Sequence, residues 1–273
     1  MSLKLGFLFI TLLVGNFGQE DDMSLFFDRT DTSSRIVFGE LAGNTPYMVA
    51  LTYGANMRNL LCGASLVTTR YVLTAAHCVE LAVNQGMILS TLRGYVGTNR
   101  YASGGTSYSF SENIIHPNYT RSIIKNDIGF FVTSSDVELT DTVSLVSLTY
   151  RFIDAGVRTK VTGWGATARG TLSDVLLQLN GVVVDGQECV ARLARRIGIP
   201  VNPELEICSY SSDRSGTCNG DSGGPLMDAE TNEQIGTVSW GIPCARNAPN
   251  MFARVSAYRD WIEKTIQNRT ESV

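Results

Sequence analysis

From Arg35 onward the chain is written in short apolar and β-branched runs broken by turn residues: SLVTTRYVLTAA, LRGYVGTN, KVTGWGAT, NGVVVDG and QIGTVSWG. Each run is long enough for one strand and is followed at once by residues that reverse the chain. That spacing argues for an all-β sandwich or barrel. One stretch departs from it. Near the C-terminus, VSAYRDWIEKTIQN places Val255, Tyr258, Trp261, Ile262 and Ile266 on one face of a helix, which predicts a terminal helix docked on the β core. Residues 97 to 109, GTNRYASGGTSYS, are polar and glycine-rich and predict an exposed loop. With 273 residues, 44% of them hydrophobic and 18% charged, the chain can bury one large core or two modest ones. No internal repeat, heptad or low-complexity tract is present.

Ahead of this body, MSLKLGFLFITLLVGNFGQ joins one early lysine to an apolar run from Leu5 to Val14, with small residues after it. The run is too short to span a bilayer as a helix and reads as a secretory signal peptide over residues 1–18. A buried first helix is the alternative. The next stretch, residues 19–35, is short, polar and acidic, closer to a removable segment than to a folded element. The whole chain carries −4, and the part after residue 35 holds 19 basic against 21 acidic residues. No run of lysine or arginine suits nucleic acid or an anionic membrane. The mature chain is expected to be soluble, secreted and extracellular, with neither nucleic acid nor membrane as a partner.

Six cysteines stand at 62, 78, 189, 208, 218 and 244. An even number in an exported chain should pair. Fifteen connectivities are open to six cysteines, and the spacing suggests three short loops: Cys62 with Cys78, Cys189 with Cys208, Cys218 with Cys244. Zinc is the competing use, and neither a CxxC pair nor an HxxxH supports it.

The stretch SGTCNGDSGGPL, residues 215 to 226, crowds glycines around Asp221 and Ser222. A serine hydroxyl is a weak nucleophile at neutral pH. It needs a base, a group to orient that base, and donors for the oxyanion. There are two histidines. His77 follows an apolar β run and is pinned by the adjacent Cys78, as a base of fixed orientation requires, whereas His116 precedes a proline and a turn. Asp127, in KNDIGFF, is an acid whose apolar neighbours carry it inward. A buried carboxylate needs a hydrogen-bonded partner, for which an imidazole NH is one candidate.

LTAAHC, NDIG, GDSGGPL and SWG, in that order and preceded by RIVFGE, make the chain resemble the trypsin and chymotrypsin family of serine proteases from Ile36 to the C-terminal helix. The resemblance implies two antiparallel six-stranded β-barrels with a C-terminal α-helix. Within a domain over 36–273, the N-terminal barrel would occupy about 36–145, the C-terminal barrel about 146–254 and the helix about 255–268. It implies a secreted endopeptidase, most simply digestive. Ser222 would attack the scissile carbonyl, His77 would carry the proton, and Asp127 would hold the imidazole in the right tautomer. The backbone N–H groups of Gly220 and Ser222 would form the oxyanion hole. Asp221 would pair with the ammonium of Ile36, freed by cleavage after Arg35, so that the exported chain is a zymogen. No cofactor is implied. The partners implied are peptide and protein substrates, a separate trypsin-like activating protease and protein inhibitors, with a monomer as the default state.

The same resemblance assigns Gly216, Thr217, Ser239, Trp240, Gly241 and Asn250 to substrate binding. Gly216 stands where trypsin-like members carry an aspartate, which argues against Arg or Lys as the preferred side chain. Gly241 leaves the pocket mouth open. Both favour Phe, Tyr, Leu or Met, a chymotrypsin-like preference. Asn250 stands where many members have glycine and would narrow the pocket and add polarity, so a broader, elastase-like or collagen-cutting preference is the alternative. A protease fold whose surface binds partners after loss of activity is the competing class. From Leu81 to Phe110 there is no Asp or Glu, so the loop after the histidine lacks the oxygens a calcium ion wants and no metal is expected there. Asn118 in NYT and Asn268 in NRT match the glycosylation tripeptide.

Overall fold

The computed structural model describes residues 39–167, 170–193, 198–212, 215–242 and 247–270, with the side chains of 268–270 excepted. The expected signal and removable segments, with Arg35 and Ile36, lie outside the described residues, as does Cys244.

The N-terminal half supplies β1 (Glu40–Leu41), β2 (Met48–Tyr53), β3 (Asn59–Leu66), β4 (Tyr71–Thr74), α1 (Ala76–Leu81), β5 (Val83–Asn84), β6 (Met87–Ile88), β7 (Arg93–Val96), β8 (Thr106–Tyr108), β9 (Phe110–Ile115) and β10 (Gly129–Thr133). The C-terminal half supplies β11 (Ser147–Leu148), β12 (Arg158–Gly163), β13 (Leu177–Val184), α2 (Gly186–Leu193), β14 (Glu206–Tyr210), β15 (Pro225–Asp228), β16 (Glu233–Gly241), β17 (Asn250–Arg254) and α3 (Arg259–Thr270).

In the C-terminal half the order β13-β12-β15-β16-β17-β14 returns on itself through β13–β14 pairing, which closes a six-stranded barrel. Closure removes the free edges that would otherwise recruit other chains. Val161, Leu179, Val183, Ile207, Leu226, Ile235, Val238 and Phe252 fill it. The N-terminal sheet runs β8-β7-β2-β3-β4-β10-β9. Its two edge strands are consecutive in the chain, separated only by Ser109, with β8 on β7 and β9 on β10. This sheet is curled over Val49, Leu51, Leu66, Val72, Leu92 and Phe131. The expected all-β fold of two barrel halves with a C-terminal helix is thus present, one half a closed six-stranded barrel and the other a curled sheet of seven short strands.

The expected loop over 97–109 is mostly exposed, with Gly97, Thr98 and Tyr101 half-buried, but from Thr106 it forms β8, because Thr106–Tyr108 pairs with Val96–Gly94 of β7. The terminal helix begins with a 3-10 turn over Val255–Tyr258 before α3, a common way for a helix to start. Val255, Tyr258 and Ile262 are buried against Tyr71, Leu73, Ile128 and Phe130, with Trp261 and Ile266 packed alongside. The helix of the second half therefore clamps the strands that flank both His77 and Asp127.

Candidate active site

His77 is held from three sides. The buried strand β4 runs into an extended Ala75, and α1 starts at once, with Val79 N donating to the Ala75 carbonyl at 3.2 Å. Cys78 is joined to Cys62 of β3 by a disulfide, Cα atoms 6.2 Å apart. That cross-link fixes the backbone from which the imidazole projects.

Asp127 precedes β10, the strand next to β4 in the same sheet, and follows Asn126 in the left-handed region (φ 54°). It is 2% exposed and accepts three hydrogen bonds: His77 N to Oδ1 at 2.9 Å, His77 Nδ1 to Oδ2 at 2.8 Å, and Ser239 Oγ to Oδ2 at 2.6 Å. Three donors meet the requirement of a buried carboxylate. Ser239 belongs to β16, so the cluster sits where the two sheets meet. Because Nδ1 faces a carboxylate oxygen it carries a proton, which leaves Nε2 as the basic nitrogen of the neutral ring. Burial lowers the pKa of His77, but the charge and hydrogen bond of Asp127, with Glu80 adding to them, outweigh burial and raise it above 6.5. Burial pushes Asp127 up, and His77, by charge and hydrogen bond, with Ser239 helping, carries it below the usual carboxylate range. The pair therefore stabilises a cation on the ring.

Ser222 lies against the same corner. Its carbonyl accepts from Gly63 N at 2.8 Å, next to Cys62. Gly223 N donates to Val238 O and Gly224 N to Asp221 O, which fixes the turn after the serine. At Gly223 (φ 76°) a Cβ would collide with Thr74 Oγ1 and the Gly63 carbonyl, so only glycine lets this turn lie on the strand leading to His77. The Ser222 hydroxyl makes no hydrogen bond among the described residues. His77 Nε2 lies 3.5 Å from Cys78 Sγ, and as neither the basic nitrogen nor the disulfide sulfur holds a proton, the two make no hydrogen bond while the ring is neutral. The structure thus joins His77, Asp127 and Ser239, and brings Ser222 to them through its backbone but not through its hydroxyl.

The Gly220 and Ser222 N–H groups donate to nothing among the described residues, whereas Asp221 N between them donates to Cys218 O at 3.0 Å. Gly220 has φ 100°, and a Cβ there would press on Leu172 and Leu60. Asp221 is fully buried, its carboxylate accepting Gly165 N at 2.8 Å and Cys218 N at 2.9 Å. Among the described residues no cation pairs with it. Burial raises its pKa from 3.8 to about 7, against the opposing effect of those two N–H groups. A cavity of ≈10 Å³ adjoins it, lined by residues including Val161, Leu179 and Thr217.

Along β16 the ladder with β15 ends at Val238, whose N–H donates to Gly224 O. Beyond it Ser239, Trp240 and Gly241 have no strand partner on that side among the described residues, while Trp240 and Gly241 pair with Met251 and Asn250 on the other. An open edge beside the imidazole is a template for an extended peptide. Gly216 is buried, and Asn250 is buried with its Oδ1 accepting both Thr217 N at 3.0 Å and Thr217 Oγ1 at 2.9 Å. A buried amide needs hydrogen-bond partners, and Thr217 supplies two donors to its oxygen. Because a backbone N–H faces the oxygen, the amide NH2 points elsewhere, and it makes no hydrogen bond among the described residues.

Cys189 and Cys208 are also bonded, Cα atoms 6.5 Å apart. Cys218 is disulfide-bonded, and Cys244, its expected partner, lies outside the described residues. Cys62, His77 and Cys78 offer ligand atoms within 4.8 Å of one another, but the disulfide between the two cysteines removes the thiolates a metal would need. Asn118 is exposed, and Asn268 lies in α3 with its side chain outside the described residues. Sequence reasoning placed Ser239 near substrate and missed its bond to Asp127. Its one local sign is that the SWG strand stands next to the pocket.

The family model described as Trypsin matches residues 39–262. Chymotrypsin-2 of Vespa crabro is 34% identical over 230 residues, covering 81% of this chain and 94% of that protein. Chymotrypsin of Phaedon cochleariae is 32% identical over 250 residues, covering 88% and 86%. Protein masquerade of Drosophila melanogaster is 32% identical over 242 residues, which are 85% of this chain and 23% of that longer protein. The chain belongs to the trypsin family of serine proteases. Protein substrates go with that family, and among the described residues no helix is long and apolar enough to cross a membrane.

Proposed function

We propose that the chain is a secreted serine endopeptidase, made as a zymogen and activated by cleavage after Arg35. The observation that supports this most is the buried His77–Asp127 pair at 2.8 Å, with the nucleophile loop folded against it. In the reaction, Ser222 Oγ attacks the scissile carbonyl as His77 Nε2 takes its proton, and the imidazolium is stabilised by Asp127. The carbonyl oxygen, now negative, accepts hydrogen bonds from Gly220 N and Ser222 N. The imidazolium then protonates the leaving amine, the acyl-serine forms, and water reverses the sequence. The Ser222 to His77 hydrogen bond is made in the processed or substrate-bound enzyme, where such contacts tighten.

That no cation pairs with Asp221 among the described residues supports the activation step. The small cavity beside it has no room for an isoleucine, so pairing with the Ile36 ammonium requires the loop to rearrange, and that rearrangement carries Gly220 and Ser222. The preferred side chain before the cut is large and apolar, as Gly216 and Gly241 allow. The Asn250–Thr217 contact favours a second reading, a shallower pocket with a broader, elastase-like or collagen-cutting preference. A digestive role, a monomeric state, control by protein inhibitors and a separate activating protease complete the proposal. Protein cut after Arg35 should hydrolyse a panel of peptides that differ only before the scissile bond, and Ser222→Ala should lower kcat on the order of a millionfold. Full activity of uncut Arg35→Gln protein would refute the zymogen, and equal activity of Ser222→Ala would refute the mechanism.

A further inference from the structure

Trp240 belongs to the open-edge end of β16 but is itself only 7% exposed, and its indole is held by a group outside the reaction machinery. Glu206, the first residue of β14, is 5% exposed. Its Oε1 accepts Trp240 Nε1 at 2.7 Å and Lys125 Nζ at 2.8 Å, and its Oε2 accepts Asn202 N at 2.7 Å. Lys125 is itself buried, lies 5.1 Å from the centre of the Trp240 ring, and donates to the carbonyl of Ile124 at 3.3 Å. Ile124 has φ 45°, a strained value for a β-branched residue.

Lys125 is two residues before Asp127, and Trp240 directly follows Ser239. The Asp127–Ser239 bond and the Lys125–Glu206–Trp240 set are therefore two neighbouring ties where the two halves meet, the first direct and the second through Glu206 of β14. The first holds the base. The second holds the indole and the strained turn. A buried ion pair is a weak source of net stability, but its members are fixed in place because either one left alone would be an uncompensated charge. Charge-assisted bonds to one carboxylate oxygen also fix direction.

We propose that Glu206 is a positioning residue for substrate recognition: with Lys125 it sets the Trp240 indole against which residues upstream of the scissile bond pack. The proposal rests on the protease reading. It concerns extended substrates, since a substrate with a single residue before the cut does not reach along β16.

The test compares the processed protein with two double variants on two p-nitroanilides, one with a single acylated aromatic residue and one with four residues ending in it. Lys125→Met with Glu206→Leu removes the charge pair and the indole acceptor. It should lower kcat/KM on the four-residue substrate by about tenfold, through KM, while the one-residue substrate changes less than about twofold. Lys125→Met with Glu206→Gln removes the charges but keeps an acceptor, and should recover most of the loss. Equal loss on both substrates, or an unchanged ratio in both variants, overturns the proposal. An organophosphonate separates this from the larger question: if wild-type Ser222 is not labelled, the protease reading falls and this falls with it. A measurement independent of variant folding is the Trp240 indole N–H resonance, assigned with Trp240→Phe. It should lie downfield of Trp164, whose Nε1 donates to the neutral Asn99 carbonyl at 2.9 Å. A Trp240 signal at the ordinary indole position overturns the proposal as well.

Discussion

At His77, burial and the Asp127 carboxylate pull one proton in opposite directions, and the carboxylate wins. Since catalysis needs the neutral ring, the acid limb of kcat/KM should have its midpoint above pH 6.5 and move down in Asp127→Asn, while that variant's rate falls by about 10⁴-fold. Asp221 makes a separate prediction for the unprocessed chain. A carboxyl that binds its proton more tightly folded than unfolded favours the fold at low pH and loses that contribution as pH rises from 3.8 to about 7. Denaturant midpoints of the uncut chain should fall across that window, by on the order of 4 kcal/mol in unfolding free energy. Asp221→Asn should flatten the curve, and an unchanged slope would show that the carboxyl is already paired. Asn250→Gly should raise the preference for Phe over smaller side chains before the cut; an unaltered panel would remove Asn250 from the pocket wall. The residues themselves were legible, because Ser222, His77 and Asp127 each sit in a local motif. The interaction of Asn250 with Thr217 was not, because 33 residues separate them.

Among the elements, the strands could be read from the runs of β-branched residues and the turns between them, since each run fits one side of a sheet. Helix α2 carries its start signal in its own sequence. Asp185 Oδ1 accepts Gln187 N at 2.9 Å and Glu188 N at 3.1 Å, capping the helix, and Asp185 with Glu188 three residues later is an N-terminal signature. Asp185→Ala should destabilise the protein by about 1 kcal/mol, seen as a lower chemical midpoint with an unchanged slope. No effect would mean that water caps α2 equally well. Strand β8 was hidden because its polar residues carry no burial pattern and are strand only by pairing with β7. Strand β16 ends at an open edge for a reason no local pattern carries: its partner β15 begins at Pro225, after the turn that carries Ser222.

On the scale of the whole molecule, the site exists because two sheets meet, and the contacts that join them span long separations. Ser239 reaches Asp127 across 112 residues and Lys125 reaches Glu206 across 81. Composition and periodicity cannot encode such pairs, which is why the resemblance to a known family, rather than the residues alone, led to the arrangement of the halves. The same arrangement explains the activation proposed here, since Asp221 is buried at the loop that has to move and has no cation among the described residues. The most direct measurement is the mass of protein cut after Arg35 and treated with an organophosphonate, mapped by digestion, as a function of pH. One adduct per chain on Ser222 is predicted, with a rate that rises as His77 loses its proton above pH 6.5 and nearly vanishes in His77→Ala. A processed, folded chain that takes no adduct, or takes it elsewhere than Ser222, would contradict the account.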